Sequence, residues 1–188
     1  MNPLYARDSG LIEEKKISPT FQSCVAVGDS WKDRPWLVDK LKAFFPDFGS
    51  MLVIPFRHES EWAQKGGADV LITLNSSKTV FVDVKLRTYS YEDIGLEYIS
   101  NSKTGAPGWI EKSLLTDYLA YAFAPTKTLY MFPFLQLQKA WLQNKDKWIE
   151  RYGCVVGNTC SDGGTYQSLL CPVPVEVLKL AIGASLIA

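Results

Sequence analysis

The sequence predicts an α/β protein with a mixed central β-sheet flanked by helices, and three patterns carry that prediction. Helix-period apolar stripes occupy two long segments, Ser30 to Phe45 and Phe134 to Tyr152. Short apolar runs bounded by turn residues crowd the stretch between them. One more strand-like run then precedes a final apolar helix, so strands and helices must pack as layers.

In the first helix Pro35 is tolerated in the opening turn, while Leu37, Leu41, Phe44 and Phe45 fall on one stripe. Pro46-Asp47-Phe48-Gly49 ends it, and Met51 to Phe56 follows as a short strand. Glu59 to Lys65 is polar, a helical turn or loop closed by Gly66-Gly67. Ala68 to Leu74, Thr79 to Arg87 and Ile94 to Ser100 read as three strands. Tyr118 to Ala124 and Thr128 to Phe132 form a further hairpin around Pro125-Thr126-Lys127. In the long helix Phe134, Leu137, Trp141 and Trp148 mark the buried stripe, and Gly153 stops it. Residues 157–164 read as a loop rich in Gly, Ser and Asn, leading to a strand from Tyr166 to Cys171 and a helix from Val175.

Composition narrows the function. The chain has 188 residues, 47% of them hydrophobic, with six Trp, nine Tyr and nine Phe, which excludes a disordered or low-complexity protein. With no repeat or linker, residues 1–188 are expected to form a single domain. Twenty basic residues balance twenty acidic ones, so the chain is no general polycation. The charge is nonetheless uneven: residues 69–100 carry a net −2 and residues 101–151 a net +3. Cys24, Cys154, Cys160 and Cys171 contain no Cys-x-x-Cys pair and do not suggest a zinc site. The N-terminal stretch lacks a signal peptide's apolar core, and the apolar C-terminal run is too short to span a bilayer. The expectation is a cytoplasmic protein with reduced thiols and no membrane partner.

The chemistry concentrates in Gly66 to Arg87. Val70, Ile72 and Leu74 share one strand face, and Val80, Val82, Val84 and Leu86 share one face of the next strand. Bringing these apolar faces together sets Asp69 opposite Asp83, pairs Leu74 with Lys78, and leaves Asn75-Ser76-Ser77 as a three-residue loop. Cross-strand partners lie roughly 4.5–5.5 Å apart between Cβ atoms. Two carboxylates so close repel unless a cation lies between them or one is protonated. Magnesium suits such oxygen ligands. Lys85 points to the same side as Asp83, placed to hold or help deprotonate a water, and Glu97 on the next strand completes a prospective three-carboxylate cluster.

Asp69 followed by Asp83-Val84-Lys85 across a short hairpin resembles the core motif of the PD-(D/E)XK nuclease superfamily, and the wider pattern resembles small phage and bacterial members of it. Gln64-Lys65-x-Gly67-x-Asp69, Leu96-Glu97, Gly108-Trp109 and Thr116-Asp117-Tyr118 extend the similarity over roughly residues 60–150. Ala68 stands where the motif has Pro, and Asp83 where Glu is commoner. The resemblance implies a restriction-endonuclease-like fold and hydrolysis of phosphodiesters, in DNA first and RNA second, with Mg2+ or Mn2+ as cofactor. It implies that Asp69, Asp83, the Val84 carbonyl and Glu97 hold metal and that Lys85 positions the attacking water, with Glu59 or Glu61 as auxiliary carboxylates. A homodimer would allow both strands of a duplex to be cut.

Gln64, Lys65, Arg87 and Trp109 are the expected nucleic-acid contacts, Trp109 through a ring carried on a loop. Lys103, Lys112, Lys127, Lys139, Lys145 and Lys147 are expected mainly on solvated faces. His58, the only histidine, leaves no room for a multi-histidine metal site. Three rival readings remain: Asp83 and Lys85 as a surface ion pair on a solvated strand face, a nuclease-like fold that binds nucleic acid or protein without catalysis, and a phage accessory or structural protein whose carboxylates are solvent-facing decoration.

Overall fold

The structure, a computed structural model, describes residues 34–54, 65–161 and 164–187. Its order is α1 (Pro35–Phe44), β1 (Phe48–Val53), β2 (Val70–Leu74), β3 (Thr79–Arg87), β4 (Asp93–Asn101), β5 (Ala106–Pro107), a 3-10 turn (Trp109–Glu111), β6 (Tyr118–Phe123) and β7 (Thr128–Pro133). Then come α2 (Phe134–Tyr152), β8 (Val155–Ser161), β9 (Gly164–Pro174) and α3 (Val175–Ile187). A mixed sheet and packed helices are therefore present, as the sequence patterns predict.

The strands divide into two sheets. A five-stranded sheet runs β1-β2-β3-β6-β7, with β3 and β6 parallel and the other neighbours antiparallel. A four-stranded sheet runs β5-β4-β9-β8. The second sheet corrects the expectation of one central sheet: β4 pairs β9, and residues 155–161 are a strand rather than a loop. Its main-chain pairing with β9 forms that strand, while Val155 and Val156 stay exposed and contribute no alternating burial.

The β2–β3 register is the expected one. Val70 pairs with Val82, Leu71 with Phe81, Ile72 with Val80 and Thr73 with Thr79, and the Leu74 amide donates to the Lys78 carbonyl at 2.8 Å. Ser77, the last loop residue, takes φ +64°, the left-handed residue that closes a three-residue hairpin.

Each face of the five-stranded sheet has its own core. On one side Leu37 and Leu41 of α1 pack with Val70, Ile72, Val82, Val84, Ala120 and Ala122. On the other, Leu119, Tyr121 and Phe123 of β6 join Ile94 and Leu96 of β4 and the apolar stripes of α2 and α3. Asp83, Lys85 and Arg87 project from β3 toward this second side. Burying about 0.8 kcal/mol worth of methylene at a time, these two cores clamp β3 between them and fix the direction of its polar side chains.

Candidate functional site

The site begins where β2 begins. The Asp69 amide donates to the Val82 carbonyl at 3.0 Å, continuing the hairpin one step past Val70 and setting Asp69 against Asp83. Asp69 Oδ2 accepts the Val84 amide at 2.9 Å, so a carboxylate stands where a strand carbonyl would otherwise be. Upstream, Gly67 has φ +74°, and a Cβ there would meet a Leu114 methyl at 2.9 Å and Thr116 Oγ1 at 3.0 Å. Thr116, itself buried, donates its hydroxyl to the Gly67 carbonyl at 3.0 Å. This loop-to-loop fastening holds Asp69 at the strand end.

Asp83 is 1% exposed. Its Oδ1 receives Lys85 Nζ at 2.8 Å, and its Oδ2 is buried without any donor. A charged oxygen in that state is costly, because lost hydration is not replaced. Burial pushes the Asp83 carboxyl up to about 7; Lys85 pulls it down, and the neighbouring Asp69 pushes it up again. Lys85 loses hydration too, which lowers its pKa, but attraction to Asp83, Asp69 and Glu97 outweighs that and leaves it above the usual range. The surface ion-pair reading is corrected here: this strand face lies against the second sheet, and Asp83 is sealed from solvent.

Glu97 approaches from β4. Burial raises its carboxyl, opposed by Lys85, the Trp109 amide, Lys112 and Arg87. The Glu97 carboxylate thus lies within the influence of Lys85, Lys112 and Arg87. Among the described residues no three His, Cys, Asp or Glu side chains form a metal-holding group, so the expected three-carboxylate cluster is not formed. Placement of β4 in the other sheet accounts for that separation.

Two expected nucleic-acid contacts are differently employed. Trp109 is 8% exposed and packed in the core, because Gly108 lets the turn lie directly on β4: a Cβ there would sit 2.0 Å from the Glu97 carbonyl oxygen. The Trp109 ring is therefore a core element, and its backbone amide serves Glu97. Arg87 donates Nε to the Tyr121 hydroxyl, and its guanidinium lies 5.3 Å from that ring's centre. Tyr121, which the sequence patterns did not single out, also accepts the Gly95 amide at 3.2 Å and so joins the two sheets beside the site. Only its place opposite Lys85 in the β3–β6 register would have pointed to it.

Lys65 is exposed at the mouth of the Gly66-Gly67 turn. Gln64, His58, Glu59 and Glu61 lie outside the described residues. Lys103, Lys112, Lys127, Lys139 and Lys147 are exposed, whereas Lys145 pairs with Glu111 at 3.3 Å.

Asp69 and Asp83 are oxygen donors of the kind a hard divalent cation takes, though among the described residues they gather no third such ligand. Asp83 Oδ2 without a donor and the adjoining Asp69 carboxylate need either a shared proton or a positive charge, and oxygen ligands favour Mg2+ or Mn2+. Among the described residues no helix is long and apolar enough to cross a membrane. No protein-family model, curated protein or solved structure matches this chain.

Proposed function

We propose that the protein is a divalent-metal-dependent nuclease of the PD-(D/E)XK kind, with a restriction-endonuclease-like arrangement around β2 and β3, acting on DNA. The observation that carries this reading is Asp83 Oδ2, buried without a donor beside the Asp69 carboxylate, with Lys85 on the opposite oxygen. Asp69, Asp83 and the Val84 carbonyl are the residues that would hold Mg2+ or Mn2+. When bound, the metal supplies charge stabilisation to a phosphoryl oxygen and acidifies a water.

The chain's own residues supply the rest. Lys85 keeps its ammonium on Asp83, under the further influence of Asp69 and Glu97, where it orients an attacking water and stabilises charge developing on the phosphate. Glu97 holds Lys85 and Arg87 toward the site. Asp69 fixes the Val84 main chain, so the Asp83 side chain keeps its direction.

A plasmid and single-stranded DNA cleavage assay in EDTA, magnesium and manganese tests the reading. Cleavage that requires metal and is lost in Asp83→Ala and Lys85→Ala is the expected result; full cleavage by Asp83→Ala overturns it. The second reading, a nuclease-like fold kept as a binding module, draws on the lack of a three-carboxylate group among the described residues. It expects nucleic-acid binding that ignores both metal and Asp83→Ala.

A further inference from the structure

The edge of the second sheet carries two thiols that the proposed chemistry does not use. Its outermost strand, β8, pairs with β9 without a register break, from Val155 against Leu170 to Ser161 against Gly164. One step further along the same ladder, Cys154 stands opposite Cys171. Cys154 follows Gly153, which ends α2 at φ +77°, and it is exposed, whereas Cys171 is fully buried in the core. Both are free thiols.

The kind of pairing decides what two facing cysteines can do. Facing residues of an antiparallel pair alternate between hydrogen-bonded positions, about 5.5 Å apart at Cα, and non-hydrogen-bonded positions, about 4.5 Å apart. β9 lies between β4 and β8, so its odd- and even-numbered residues bond to opposite neighbours. The Ser102 amide donates to the Gln167 carbonyl at 2.8 Å, and the Val175 amide donates to the Glu92 carbonyl at 3.0 Å. Odd-numbered residues of β9 therefore turn their main-chain groups toward β4, Cys171 among them. Against β8, Cys171 occupies the closer, non-hydrogen-bonded kind of position, and the two Cβ atoms share one face of the sheet. A Cα separation of about 4.5 Å lies within the span of a disulfide, roughly 4.4–6.8 Å.

A third side chain marks the same place. Tyr98 of β4 reaches over β9, and its hydroxyl donates to Cys154 Sγ at 3.3 Å. Burial raises the Tyr98 hydroxyl, and its hydrogen bond to Cys154 and the charges of Cys154 and Cys171 raise it further. Burial, and next the Cys154 sulfur, push the Cys171 thiol up to about 12. The two sulfurs and the phenol thus lie within one another's influence.

We infer that Cys154 and Cys171 are a redox pair that closes a disulfide under hydrogen peroxide and locks the edge strand β8 onto β9. The exposed Cys154 reacts first. Its thiolate sulfur attacks the peroxide, the O–O bond breaks, and a sulfenic acid and hydroxide result. The Cys171 sulfur then attacks the sulfenic sulfur: the S–S bond forms, the S–O bond breaks, and the oxygen leaves as water with the Cys171 proton. Two thiols lose two electrons, and one peroxide becomes two waters. Without the link, β8 is an outer strand whose Val155 and Val156 stay exposed, held to β9 through main-chain pairing. The inference uses none of the carboxylate site and stands apart from the nuclease reading.

The test uses the full chain carrying Cys24→Ser and Cys160→Ser, so that only these two thiols remain, beside the wild type. After hydrogen peroxide, both thiols should vanish from a thiol titration while the protein runs as a single chain on a non-reducing denaturing gel. Dithiothreitol should return them. In the wild type, tandem mass spectrometry should place the link between Cys154 and Cys171, which keeps the result independent of the serine substitutions. The oxidised protein should melt about 5 °C or more above the reduced one. Hydrogen exchange of the β8 amides should slow at least about 10-fold. Cys154→Ser should show neither change. Cys154 driven to sulfinic acid while Cys171 stays reduced overturns the inference, as does a link to Cys24 or Cys160 or between two chains. A disulfide that leaves the melting temperature and β8 exchange unchanged overturns the lock.

Discussion

Asp69 Oδ2 accepts the Val84 amide at 2.9 Å, so one carboxylate of the site also closes the main-chain ladder between β2 and β3. The carboxylate therefore has two separable duties, a hydrogen bond to the backbone and a charge beside Asp83. Asp69→Asn keeps an acceptor for the amide, whereas Asp69→Ala leaves it unmet in a part-buried position. An unsatisfied buried donor costs about 1–3 kcal/mol. Urea denaturation should show that loss for the alanine variant and little for the asparagine variant, while both lose cleavage. Equal destabilisation of the two would mean that the amide bond contributes nothing to the fold.

Asp83 gives the protein a pH-dependent stability with a definite sign. Its carboxyl lies at about 7 in the folded state because burial disfavours the ionised form. Unfolded, it returns to about 3.9. Between those values the folded chain holds a proton that the unfolded chain has released, so stability falls as pH rises from about 4 to about 7. Asp83→Asn mimics the neutral acid and lacks this slope. Denaturation at pH 5 and pH 8 should show the variant gaining on the wild type at the higher pH, and manganese should restore the wild type there by replacing the proton. A constant difference between the two proteins across that range would remove the account.

Lys85 and Asp83 form a pair that is worth less than the damage done by splitting it. Removing Lys85 leaves Asp83 sealed without a counter-charge, whereas removing both leaves an uncharged patch of similar shape. Splitting a buried pair costs about 3–5 kcal/mol, and because the Lys85 side chain is 33% exposed, the expected loss for Lys85→Met falls below that range. The double variant Lys85→Met with Asp83→Asn should recover most of the stability and none of the activity. Additive losses in a double-mutant cycle would show that the 2.8 Å contact is incidental.

The hairpin that builds the site was legible because two independent signals agree on it. Alternation on β2 and β3 leaves one register that merges the apolar faces, and Asn75-Ser76-Ser77 suits the turn this register needs. The second sheet was not legible for the opposite reason. Gly157, Asn158 and Thr159 have turn-like composition, and β8 exists through main-chain pairing with β9, a contact that no local pattern encodes. Trp109 shows a third case. Ala106-Pro107-Gly108 reads as a loop by composition, but Ala106–Pro107 is the short strand β5 paired with β4, and the missing Cβ of Gly108 serves close packing on β4. Glu97 was found by alternation, while the sheet that carries it, and hence its distance from the aspartates, depends on long-range pairing.

Gly108 offers the sharpest check on how the second sheet delivers Glu97. Its φ of −73° is open to any residue, so backbone strain plays no part in the choice of glycine. The constraint is contact: a Cβ would stand 2.0 Å from the Glu97 carbonyl oxygen and 2.3 Å from its carbon, both main-chain atoms that cannot swing away. Gly108→Ala must push the Trp109–Glu111 turn off β4. That breaks the Gly108 amide bond to the Tyr98 carbonyl, now 2.8 Å, and withdraws the Trp109 amide from Glu97. Overpacking of this kind costs about 1–3 kcal/mol. Thermal unfolding should register that loss together with increased Trp109 exposure, read as a red-shifted tryptophan emission against a Trp109→Phe control. An unchanged melting temperature and emission would mean that the turn does not rest on β4, and Glu97 would then need another support to face Lys85.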